Sequence, residues 1–259
     1  MGNCKLCGLE KQLRKSHLLP KSAYKHLRDR PEEGGGSPLR VHMDSSEAFF
    51  TDIQVVKELL CDDCEQRFSR LGEQSVAKMW STHKRFPLLE RLQSVGNPIK
   101  GPRFSMYKVE DVGAQVLDDL FYFALSVIWR SNAWDWGRHT SDHKGSLGSY
   151  EPAVRNYLLG GDVPRAIRVI VTLDVNSETR ALMKFPYVVK GAGCHLHRFC
   201  LLGLYFCVII GGTPYEALVL PFERMNANVI LMTQDMGESE DMMDLAVEFF
   251  ERFPEGVER

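Results

Sequence analysis

The chain has 259 residues with a formal net charge of -2, 44% hydrophobic and 25% charged residues, 21 Gly, 12 Pro and 7 Cys. These are the proportions of an ordinary globular protein; they exclude a disordered, collagen-like or small disulfide-scaffold chain and allow one large core or two modest ones. A near-neutral total says little about partners, so the placement of charge along the chain matters more.

The first residues, MGNCKLCGLEKQLRKSH, hold no apolar stretch before a small-residue cleavage site and complete no myristoylation signal. The longest apolar run, 199–210, falls well short of the roughly 20 residues of a spanning helix. The expectation is a cytoplasmic protein without a membrane partner, whose cysteines serve as metal ligands and buried thiols rather than disulfides.

Two stretches rich in Gly and Pro punctuate the chain, RPEEGGGSP at 30–38 and GNPIKGP at 96–102. The first reads as an exposed loop and the second as a boundary between 1–97 and 98–259. Between them lie an extended section over 39–43 and a helix beginning near Cys61. From 110 to 130 the apolar positions Val112, Val116, Leu120, Phe123, Ala124 and Val127 recur at three and four, predicting a helix with a buried face. A second helix is predicted over 150–159, stopped by Gly160 and Gly161. Segments 166–173, 186–189, 195–203, 204–210, 217–221 and 228–232 have the length and Val, Ile, Leu and Phe content of strands in one mostly antiparallel sheet. An acidic amphipathic helix over 239–253, with Ser239 as its N-cap, closes an α+β chain.

Cys4 and Cys7, and Cys61 and Cys64, form two C-x-x-C pairs. Each pair can present two thiolates from a tight turn, and four sulfurs close a tetrahedral structural Zn2+ shell. The second pair is expected at a helix N-terminus, whose positive end favours thiolate. The 53 residues between Cys7 and Cys61 exceed the spacer of a compact zinc ribbon and contain Ser16-His17-Leu18-Leu19-Pro20.

The order CxxC, HLLP at 17–20, then ELLCDDCEQRF at 58–68 resembles the HNH, or His-metal finger, endonucleases over about the first 80 residues. The resemblance implies a zinc-pinned ββα finger; residues 98–259, which it does not cover, read as an α+β domain for target selection, oligomerisation or partner docking. It implies a DNA substrate, with a role against foreign DNA in keeping with family habit. His17 then stands at the place of the general base, and Mg2+ or Mn2+ is the expected catalytic cation. The sequence departs from the family pattern at three places: Ser16 stands where an acid often precedes the base, no Asn occurs over 53–60, and Glu65 replaces the closing His. Glu65 is a candidate cation ligand, with a plain first-turn helix acid as the alternative. His42 and Asp44 are reserve ligands, although Asp44 with Ser45 and Ser46 also reads as an ordinary turn. The alternative to an enzyme is an inactive zinc treble clef that binds nucleic acid or a protein.

Over 1–30 eight cations face only Glu10 and Asp29. Arg14, Lys15, Lys21, Lys25 and Arg28 are candidate phosphate contacts. Over 235–259 nine acids face Arg252 and Arg259, which suits a protein partner or a second copy of the chain better than nucleic acid. The run CHLHRFC at 194–200 gathers four soft ligands, but strand alternation sends Cys194 and Cys200 to one face and His195 and His197 to the other. Trp129, Trp134 and Trp136 read as core or interface anchors. No phosphate-binding glycine loop and no G-x-S-x-G elbow occurs.

Overall fold

The structure, a computed structural model, describes residues 1–43, 45–137, 146–191 and 193–257. The N-terminal part is built from short strands: β1 Gly2–Asn3, β2 Glu10–Lys11, β3 Leu13–His17, β4 Leu39–His42, β5 Glu47–Phe50 and β6 Val56–Cys61. These pair antiparallel as β1 with β2, β3 with β6 and β4 with β5. From β6 the chain turns directly into α1, Asp62–Phe68, and runs through a π-helical turn over Ser69–Glu73 into α2, Gln74–Val76. Helix α3, Pro87–Gln93, begins with Pro at its first position, where the missing N–H costs nothing.

Beyond it lie β7 Ile99–Lys100, β8 Phe104–Tyr107, α4 Val109–Val112, α5 Ala114–Ala133 and α6 Glu151–Leu158. They are followed by β9 Ile167–Asp174, β10 Met183–Gly191, β11 Cys194–Leu201, β12 Leu204–Ile210, α7 Glu216–Met225, β13 Val229–Gln234 and α8 Glu240–Arg252. Seven strands form one sheet in the order β10-β11-β12-β9-β13-β8-β7, antiparallel except where β13 runs parallel to β9. The mixed α+β class and the mostly antiparallel sheet expected from the sequence are present.

Helix α5 sits between layers. Thirteen of its 20 residues are buried, which is the composition of a helix covered on all sides. Strands β9, β10 and β12 cover one side, and the π-helical turn with α2 covers the other. Gly72 permits that second approach, because a Cβ there would stand 3.2 Å from the Cα of Phe123. One apolar core therefore runs from Cys4 and Leu6 through Phe68, Phe123 and Trp129 to Leu231, shared by residues on both sides of position 97. A second, smaller cluster on the far face of the sheet joins Cys194, Leu196, Ile209, Phe222 and Ile230.

Two local expectations change. The helix expected over 110–130 is two helices, broken at Gly113, whose φ of 90° no other residue adopts easily. Residues 217–221, expected as a strand, lie in α7. Leu218 and Phe222 stand one helical turn apart there and pack in the far-face cluster. Among the described residues no helix is long and apolar enough to cross a membrane.

Candidate functional site

The four cysteines meet through two local devices. Gly8, at φ 76°, closes the first knuckle by donating from its N–H to the Cys4 carbonyl at 2.8 Å, and the Lys5 N–H ties that knuckle to Leu59 of β6 at 3.0 Å. A register shift in the β3–β6 pair leaves Leu59 without an opposite number, so Leu59, Leu60 and Cys61 are buried in succession. Cys61 precedes α1 and Cys64 falls in its first turn. All four sulfurs lie within 4.8 Å of one another.

That spacing fits a metal ion such as zinc. Zn–S bonds of about 2.3 Å in a tetrahedron place sulfurs about 3.8 Å apart, and Cys7 Sγ and Cys61 Sγ are 3.9 Å apart. The Cys61 N–H points at Cys4 Sγ at 3.3 Å. Burial pushes the Cys4 thiol up, but backbone N–H groups of Cys7, Cys61 and Leu6 outweigh it and leave the thiol lowered to about 7. Burial and neighbouring sulfurs push Cys64 well above the usual thiol value, and burial also raises Cys61. Four sulfurs this close cannot all ionise without a cation among them.

His17 is the last residue of β3, opposite Val56 of β6. Its half-buried imidazole places Nε2 2.8 Å from Oε1 of Gln54, within hydrogen-bond distance. Where Nε2 donates to that amide oxygen, the lone pair lies on Nδ1. Next to it, Ser16 is fully buried and its hydroxyl accepts from the Leu60 N–H at 3.2 Å. Ser16 is thus part of the β3–β6 pairing. The backbone of His17 is held from the other side of the molecule, its carbonyl accepting from Arg130 Nη1 at 2.6 Å. Arg130 in turn pairs with Glu73 and lies over the Phe68 ring at 5.1 Å.

Glu65 lies in the first turn of α1, with its Oε1 buried and without a hydrogen-bond partner among the described residues. Among the described residues the cysteine tetrad is the only group of three or more His, Cys, Asp or Glu close enough to share an ion. Neither His17 nor Glu65 belongs to such a group among the described residues. His42 stacks on Phe49 at 5.7 Å within the β4–β5 pair, and Asp44 lies outside the described residues.

The expected phosphate contacts differ in how free their charges are. Lys15, Lys21 and Lys25 are exposed and have no ion pair among the described residues. Arg14 faces Asp62 at 3.3 Å, Arg28 holds Asp52 at 2.6 Å, and Lys11 holds Asp63 at 2.6 Å. Those acids lie beyond residue 30, so the charge tally of the first 30 residues overstates the patch.

Comparison with known protein families, with characterised proteins and with solved structures finds no match.

Three functional candidates carried no motif in the sequence. Gln54 lies in the 53–60 stretch where the family pattern asks for Asn, and it supplies an amide oxygen from there. Arg130 and Glu73 are ordinary helix residues until α5 and the π-helical turn meet; an arginine following the apolar run of α5 was the available signal.

Proposed function

We propose that the protein is an HNH-like endonuclease that hydrolyses phosphodiester bonds in DNA, with Zn2+ held by Cys4, Cys7, Cys61 and Cys64 as a structural ion. The observation that carries this reading is the contact between the His17 ring and Gln54. A base must offer a lone pair, and a ring that donates from Nε2 to Gln54 offers one at Nδ1. Two further features support it: the strand bearing His17 pairs with the strand that delivers Cys61, and the chain then enters α1.

In the proposed step, Nδ1 takes a proton from a water whose oxygen attacks phosphorus. The P–O bond to the leaving oxygen breaks, and that oxygen leaves with the electron pair and is protonated from solvent. Gln54 accepts the Nε2 proton throughout and stabilises the imidazolium that forms, as a base-orienting group does in other hydrolytic sites. Arg130 fixes the backbone on which the ring is mounted. Lys15, Lys21 and Lys25 supply charge for the strand's phosphates.

A second reading is a zinc treble clef that binds nucleic acid or protein without cutting. Ser16 favours it, since it stands where an acid often precedes the base and its hydroxyl accepts from Leu60. Incubating the protein with supercoiled plasmid and with single-stranded DNA, with Mg2+ or Mn2+ supplied, separates the two. Cutting by the native chain and not by His17→Ala supports the nuclease; DNA binding with no cutting by either supports the binding module.

A further inference from the structure

The far face of the seven-stranded sheet carries a cavity of about 260 Å³. Its floor comes from alternate residues of the central strands, including Ile170, Leu196, Cys200 and Cys207, and its roof includes Leu218 of α7 with Met242 and Leu245 of α8. Burial raises both cysteine thiols, so they stay protonated and act as small apolar groups. No residue of α8 is fully buried.

Polar groups in the wall are few and separable. Arg198 is engaged by Asp241 at 2.5 Å. Lys184 has no acid partner among the described residues; its ammonium faces only the Tyr187 ring, 4.3 Å from the centroid. Thr172 makes no side-chain hydrogen bond among the described residues, and the Tyr205 hydroxyl reaches only the Met242 sulfur at 3.8 Å. The cavity thus joins an apolar slot to one unspent cation and two hydroxyls short of partners. That is the arrangement of a small-molecule site, in which an apolar bed binds and a few polar groups orient.

We propose that this cavity is a binding site for a compact, flat carboxylate, its ring between the sheet and α8 and its carboxylate on Lys184 with Thr172 or Tyr205. The volume lies just under the roughly 300–1,000 Å³ of drug-sized sites, which limits the occupant to about two fused rings. An uncharged analogue of the same shape leaves the ammonium without its anion and binds less well. The site faces away from the core shared with His17, and its occupation needs neither DNA nor metal.

Calorimetry with 2-naphthoate and with 2-naphthamide on the full chain tests this. Expected are saturable binding of naphthoate at one per chain, weaker binding of the amide, and a loss of about tenfold in naphthoate affinity in Lys184→Ala with the amide unchanged. Cys207→Phe, which fills the slot, is expected to abolish binding of both. No saturable binding of naphthoate, or equal loss of both probes in Lys184→Ala, overturns the proposal, as does undiminished binding by a folded Cys207→Phe chain. Should Cys207→Phe fail to fold, the two-probe comparison in Lys184→Ala still decides.

Discussion

Arg130, near the end of α5, donates to the backbone carbonyl of His17 at 2.6 Å, so the residue proposed as base is mounted from a helix 113 positions further along the chain. The same guanidinium pairs with Glu73 in the π-helical turn and is itself 1% exposed. One buried side chain therefore joins β3, the helix that follows the second cysteine pair, and α5. Removing it leaves the His17 carbonyl and the mostly buried Glu73 carboxylate without their cation. Arg130→Met is expected to cost about 3–5 kcal/mol of stability in urea unfolding, and to lower any cleavage rate under folded conditions. Glu73→Gln, which keeps an acceptor, should cost less. A loss below 1 kcal/mol in Arg130→Met would mean that the pair does not join these elements.

The cysteine tetrad predicts about one tightly held zinc per chain by elemental analysis. Cys61→Ser and Cys64→Ser should each lose it, and a chelator should lower the melting temperature of the native chain but not that of the variants. Zinc retained in both variants would remove the tetrad from the account.

Cys200 is buried in the sheet and its thiol is pushed up to about 12, chiefly by that burial. The folded chain keeps this proton at a pH where the unfolded chain, with thiols near 9, has released it. Stability is thus lost as pH rises through roughly 9 to 12. Cys200→Ala removes one proton from that dependence, so its stability against pH over this window should be shallower than that of the native chain. Parallel curves would contradict the assignment.

On DNA, the free and the paired cations should behave differently. With His17→Ala protein to prevent cutting, Lys21→Ala and Lys25→Ala should each reduce the slope of log K against log salt by about 0.9 on duplex. Arg14→Ala and Arg28→Ala should change it less, because Asp62 and Asp52 already offset those charges. Anisotropy titrations at several salt concentrations read this directly; equal effects at all four positions would show that the intramolecular pairs open on binding.

The parts legible in the sequence were those fixed by local rules. Spacing at three and four located α5, and paired C-x-x-C spacing located the tetrad, because a tight turn places both thiols whatever lies elsewhere. Ser239 was legible as the cap of α8, and its side chain accepts from the Met242 N–H. Residues 217–221 were misread because a short apolar run suits a strand or a helix equally. The decision there came from Phe222, just outside the run, which packs with Leu218. The parallel β9–β13 pair and the Gln54–His17 contact rest on pairings between distant segments, which no local period encodes. The neutralisation of Arg28 by Asp52 was hidden for the same reason.

The most direct test of the central claim is the single-turnover rate of plasmid cleavage by the native chain, Gln54→Leu and His17→Ala, with Mg2+ supplied. A ring oriented as base by Gln54 predicts cutting by the native chain, a reduced rate in Gln54→Leu, and a loss of about 10²–10⁴-fold in His17→Ala. Equal rates in the native chain and His17→Ala, or no cutting by the zinc-loaded native chain, would contradict it.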